Sequence, residues 1–132
     1  MDEAQLLNIL KTPELCNDVV EHRVVPAVKG SYKSFPDELA PSLKEALERR
    51  GIDQLYTHQR QVWDHARAGR SVLVVTPTAS GKTLCYNLPV IQTLLEDPKA
   101  RALYLFPTKA LSQDQQAELN ELVLEGQLGV KV

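Results

Sequence analysis

The spacing of apolar positions along the chain changes character near residue 70. Before that point the pattern is helical. Leu6, Leu7, Ile9 and Leu10 give an apolar face to a short helix from Asp2 to Leu10. Thr12 and Pro13 read as the cap and first position of a second helix, running to Val19 or Val20. From His22 to Pro36 no helical period survives, and Pro26, Gly30 and Pro36 predict an extended surface arm. Leu39, Leu43, Ala46 and Leu47 fall on one face of a helix from Pro41 or Ser42 to Arg50, stopped by Gly51. The next helix is expected from Thr57, as its cap, to Ala68, stopped by Gly69.

After residue 70 short continuous apolar runs alternate with amphipathic stretches. Val72–Thr76 and Ala102–Phe106 read as buried strands, and Val130–Val132 as the start of a third. Helices are expected from Lys82 to about Leu95 and from Thr108 to about Glu125. The order is βαβαβ, which predicts an α/β fold with a parallel sheet and right-handed crossovers, preceded by a helical N-terminal segment. Three strands, the last only begun, leave sheet edges open, so the chain is expected to be part of a larger protein.

The first strand opens into Thr76-Pro77-Thr78-Ala79-Ser80-Gly81-Lys82-Thr83 and a helix follows at once. Strand, small-residue loop and helix in that order are what a phosphate-binding loop requires. Successive backbone N–H groups in such a turn make a concave anion site, and the helix start adds the positive end of its dipole. Gly81 permits close backbone approach, Lys82 would reach the β- and γ-phosphates, and the Thr83 hydroxyl would ligate Mg²⁺. The strict pattern places a glycine where this chain has Thr76. The strand upstream and helix downstream still argue against a chance Gly-Lys-Thr.

Composition narrows the picture little. A chain of 132 residues is one domain at most, and its formal net charge of -2 gives no global basic footprint for nucleic acid. Lys and Arg nevertheless outnumber acids between Arg60 and Lys109. Cys16 and Cys85 lack metal-site spacing and suit a reducing cytoplasm. No run approaches a membrane span, and Met1-Asp2-Glu3 is no signal peptide.

Two further groups flank the loop. Gln59, in the first turn of its helix, carries an amide that matches the N6/N7 edge of adenine. Thr108 and Lys109 follow the second strand, where a hydroxyl, an ammonium and a helix N-terminus suit a nucleic-acid phosphate. Tyr56 either stacks on the base or braces the turn. His58 reads as a structural or solvent-facing histidine, Trp63 as core, and Cys85 as a small buried apolar residue. Arg67, Arg70, Lys99 and Arg101 read as solvated surface charges.

Tyr-Thr-His-Gln at 56–59, Thr-Pro-Thr-Ala-Ser-Gly-Lys-Thr at 76–83 and Pro-Thr-Lys-Ala-Leu at 107–111 resemble the Q motif, motif I and motif Ia of superfamily 2 helicases. The closest likeness is to the DEAD/DEAH-box DNA repair helicases of the MrfA (YprA-like) type, cousins of the RecQ-like enzymes. Leu84-Cys85-Tyr86-Asn87-Leu88-Pro89-Val90 and the upstream His22, Pro26, Pro36, Leu39 and Leu43 are similar to that group as well. In superfamily 2 the first glycine of the loop is commonly absent, which accommodates Thr76.

The resemblance implies residues 1–40 as an accessory segment and 41–132 as the first part of a RecA-like domain. It implies an ATP site with Mg²⁺, built from Tyr56, Gln59, Thr78, Ala79, Ser80, Gly81, Lys82 and Thr83. Lys82 and Thr83 are its catalytic candidates, and Thr108 and Lys109 its contacts to nucleic acid. The implied partners are single-stranded or duplex DNA, with RNA possible, and the remainder of a helicase that includes a second RecA-like domain. No membrane partner is implied, and the location is a bacterial cytosol or nucleoid. The family's Walker B acids do not occur in these residues, so this stretch alone is expected not to hydrolyse ATP. The competing readings are a DEAD-box RNA helicase and a non-translocating P-loop nucleotide-binding module.

Overall fold

The computed structural model describes the chain except for residues 1–2, 14–20, 22, 24, 27–28 and 78–79. Helix α1 spans Glu3–Leu10, close to its expected bounds. Thr12 sends its hydroxyl back to the Ile9 carbonyl at 2.9 Å. The helix expected after Thr12 falls mainly outside the described residues.

The core is helical. Helix α2 is Pro41–Arg49, α3 is Thr57–Arg67, α4 is Lys82–Glu96 and α5 is Lys109–Glu125. Pro41 opens α2 at a position where its missing N–H costs nothing. Leu43, Ala46 and Leu47 of α2 meet Trp63 of α3, Leu88 and Ile91 of α4, and Leu119, Leu122 and Val123 of α5. After α2, Gly51 at φ +74° donates to the Glu48 carbonyl and Ile52 to Leu47. Gly69 at φ +70° and Arg70 close α3 the same way, on Ala66 and His65. In both places a glycine takes the left-handed conformation that this helix ending needs.

One expectation changes at the start of α3. Thr57 is not the cap but the first helical residue, and its backbone N–H and hydroxyl both bond Ser31, at 2.9 and 2.7 Å. The cap position belongs to Tyr56, whose N–H donates to the Gln59 side-chain oxygen at 2.8 Å. The extended arm before α2 is held in place. Its Tyr32–Lys33, strand β1, pairs antiparallel with Leu55–Tyr56, strand β2, setting Tyr32 opposite Tyr56.

Glu38, Ala40 and Gln92 fasten this arm further. The Ala40 N–H donates to Gln92 Oε1 at 2.9 Å, and Gln92 Nε2 donates to the Glu38 carbonyl at 3.2 Å. Trp63 Nε1 donates to the Glu38 carboxylate at 3.0 Å. Among the described residues these bonds run across residue 40.

The main correction concerns the sheet. Among the described residues β1–β2 is the whole of it, and the expected parallel strands at 72–76, 102–106 and 130–132 pair with nothing. Exposure through the first two runs nevertheless alternates. Leu73 and Val75 are 87% and 84% exposed, and Leu103 and Leu105 are 84% and 83%, whereas Val74, Tyr104 and Phe106 are partly covered. That is the period of a strand with one face on the helices and the other open. The expectation of burial on both faces fails because the described helices cover only one. A ladder also needs a neighbour about 4.8 Å away.

Candidate nucleotide site

The loop after residue 76 is clamped from one side by the start of α3. Gly81 caps α4 in the left-handed conformation at φ +72°, and a Cβ there would stand 2.6 Å from Gln59 Nε2. Only glycine allows this approach. Gln59, 4% exposed, uses the gap to donate from Nε2 to the Gly81 carbonyl at 2.9 Å. Its Oε1 meanwhile accepts from Tyr56 N. One amide thus ties the cap of α3 to the cap of α4. It keeps one N–H and one lone pair beyond these two bonds.

His58, read from sequence as structural or solvent-facing, lies in the same clamp. Its Nε2 is 2.9 Å from the Ser80 carbonyl, so that nitrogen carries the proton and donates. The Tyr56 ring stacks on His58 at 5.6 Å and on Tyr32 at 4.9 Å between centroids. Bracing, one of the two roles open to Tyr56, is therefore present. Its neighbour in the sequence, Gln59, was the signal that could have drawn His58 into the site.

Lys82 folds back over the loop. Its ammonium donates to the carbonyls of Thr76 at 2.9 Å and Pro77 at 2.6 Å, with the Ser80 hydroxyl at 3.5 Å. Thr76 and Ser80 hydroxyls bond each other at 2.6 Å, so Thr76 contributes its own closure where the strict pattern has a glycine. Thr78 and Ala79 lie outside the described residues. Next along α4, burial pushes the Cys85 thiol up, against smaller downward pulls from a backbone hydrogen bond and the Lys82 charge. That is an inert thiol, as read from the sequence.

The donor set suits a polyphosphate with a hard divalent cation. It offers an ammonium, the hydroxyls of Ser80 and Thr83, a helix N-terminus and a glycine whose Cβ would collide with its clamp. A cavity of about 660 Å³ opens beside it, lined by Tyr32, Ile52, Tyr56, Gln59, Gly81 and Thr83 among others. Among the described residues no cluster of His, Cys, Asp or Glu could hold a metal ion.

Thr108 and Lys109 stand apart from this clamp, at the start of α5. Thr108 Oγ1 accepts the Leu111 N–H at 3.2 Å and so caps the helix, while Lys109 is exposed. Arg67 departs from its expected role as a solvated charge. It grips Glu96 through two bonds at 2.8 and 2.9 Å, and its guanidinium lies 5.8 Å from the centre of the Trp63 ring. The Glu96 carboxyl is held below its ordinary range by Arg67 first and by Gln92 second.

The DEAD/DEAH box helicase profile matches residues 56–132. This chain belongs to that family. The ATP-dependent helicase YprA of Bacillus subtilis is 48% identical over 127 residues, which are 96% of this chain and 17% of that protein. The ATP-dependent helicase HRQ1 of Saccharomyces cerevisiae is 37% identical over 84% of the chain and 10% of its own length. The crystal structure of the DUF1998 helicase MrfA bound to DNA and AMPPNP superposes with a TM-score of 0.78 at 42% identity, covering all of this chain and 18% of that one. The chain thus spans under a fifth of these DEAD/DEAH box relatives. The match begins at Tyr56, where the clamp begins.

Proposed function

We propose that this chain is the nucleotide-binding, N-terminal part of a longer ATP-dependent DNA helicase of the cytoplasm. The observation that carries the reading is the Gln59–Gly81 bond. It joins two segments read separately from the sequence, one for adenine and one for phosphate, into one built site. Likeness to MrfA, solved with DNA and AMPPNP, supports DNA as the nucleic acid. In this reading residues 41–132 are the first part of a RecA-like domain. Further strands of a parallel sheet, from the rest of the protein, would pair with the backbone edges of the runs at 72–76 and 102–106, and helices from it would cover Leu73, Val75, Leu103 and Leu105.

Mg²⁺-ATP would supply the free energy of phosphoryl transfer. The residues of this chain would hold it. Lys82 would give up the Thr76 and Pro77 carbonyls in favour of phosphate oxygens. Thr83 would offer a hydroxyl oxygen to the metal, and Ser80 and Gly81 belong to the turn that would cradle the phosphates. Gln59 has one donor and one acceptor left for the adenine, and Tyr56 would help to hold the base. At the α5 start, Lys109 and the helix N-terminus meet a strand phosphate, while Thr108 holds that terminus in shape.

The test is unwinding by the full-length protein. It should separate a DNA duplex bearing a single-stranded tail only when Mg²⁺ and ATP are present. Unwinding of RNA but not DNA duplexes would move the protein to the RNA helicases. Nucleotide binding without any unwinding would leave the non-translocating module as the better account.

A further inference from the structure

Helix α5 begins at Lys109 and six residues later carries Gln115, which nothing in the sequence marks out. The Gln115 amide oxygen accepts the Tyr86 hydroxyl at 2.5 Å and the Thr83 hydroxyl at 3.3 Å. Its amide nitrogen donates to Glu118 at 3.3 Å. Two hydroxyl donors at one end and a carboxylate at the other fix which way round the amide sits. Thr83 and Tyr86 are three residues apart, hence on one face of α4, and both are partly buried there.

A hydroxyl has one proton and two lone pairs. When Thr83 gives its proton to Gln115, both lone pairs are left for other partners, which is the orientation a metal-ligating hydroxyl needs. The bond is long for two oxygens, whose usual separation is about 2.7–2.8 Å. A shift of α5 by a few tenths of an ångström therefore strengthens or breaks it. The same helix presents its N-terminus, with Lys109, as the proposed strand contact. One rigid element thus touches both sites.

We propose that Gln115 is a positioning residue that couples the two. It aligns the Thr83 hydroxyl according to where α5 sits, so nucleotide and single strand bind with linked affinities. This rests on the helicase reading above. A purely structural glutamine would only knit α4 to α5 and would leave the two affinities independent of each other.

The experiment measures binding, without turnover, in the full-length protein. The affinity of a fluorescent, non-hydrolysable ATP analogue with Mg²⁺ is taken with and without a saturating single-stranded DNA oligonucleotide. In the wild type the oligonucleotide should tighten nucleotide binding about tenfold, and the nucleotide should tighten oligonucleotide binding by the same factor. Gln115→Leu should reduce both factors to about twofold or less, below the usual range of such couplings, while oligonucleotide affinity without nucleotide stays unchanged. Gln115→Glu combined with Glu118→Gln keeps an oxygen for both hydroxyls and reverses the bond to position 118, so it should restore the coupling. Full coupling in Gln115→Leu overturns the proposal, as does its absence from both the Leu variant and the double variant. A wild type that binds both ligands independently overturns it alone. A wild type that binds neither overturns the helicase reading with it.

Discussion

Gln59 shows how far a single residue could be read in advance and where that reading stopped. Its amide stood out as a candidate base-reading group from its place before the loop, but its two internal bonds, to Tyr56 N and the Gly81 carbonyl, depend on a tertiary approach that no local pattern encodes. The same holds for His58 on Ser80, and for Thr57, which bonds Ser31 from a segment 26 residues away instead of capping its helix. Lys82, Thr83 and Gly81 were legible because their chemistry is local to the loop. Gln59 clamps the turn and in the proposed site also reads the base, so Gln59→Ala should have two effects. Preference for ATP over GTP should fall by about tenfold, the scale of one or two hydrogen bonds. Affinity for both nucleotides should fall as well, because the loop loses its anchor. Competition binding with the two nucleotides checks this; unchanged selectivity would remove the adenine role.

At the scale of elements, helices were legible and strands were not. Glycine stops at Gly51 and Gly69 and the apolar stripe of α2 act through neighbouring residues, so α2 and α3 end where expected. Arg67 read as a solvated charge because its partner Glu96 lies on another helix, and Gln115 between α4 and α5 escaped notice for the same reason. The runs at 72–76 and 102–106 keep a strand's alternation yet lack a partner. Tyr104, in the second run, is the contact of that face with α4. Its hydroxyl donates to Asn87 at 3.0 Å, and burial, then Tyr86, pushes its pKa up to about 12. The folded chain therefore keeps a proton that the unfolded chain releases near the ordinary value of 10.0. The associated stability is complete below pH 10 and is lost as pH rises from there towards about 12. Urea midpoints should fall across that window, and less steeply in Tyr104→Phe; equal slopes in the two proteins would contradict the assignment.

The whole molecule is a helical core whose apolar runs are half covered. Leu73, Val75, Leu103 and Leu105 are each more than four-fifths exposed on the separate chain, two on each run. Sedimentation of the 132-residue chain should show association that grows with concentration, and a monomer at all concentrations would contradict this. Strand pairing was never a local property, because it needs a second backbone edge, which is why the α/β class was legible and the pairing was not. The central claim is that the loop clamped by Gln59 binds ATP in the service of moving along DNA. It is tested most directly by ATP turnover of the full-length protein with and without single-stranded DNA, in the wild type and in Lys82→Ala. DNA-stimulated turnover in the wild type and its loss in Lys82→Ala is the predicted result; turnover indifferent to DNA, or retained without the Lys82 ammonium, would contradict the account.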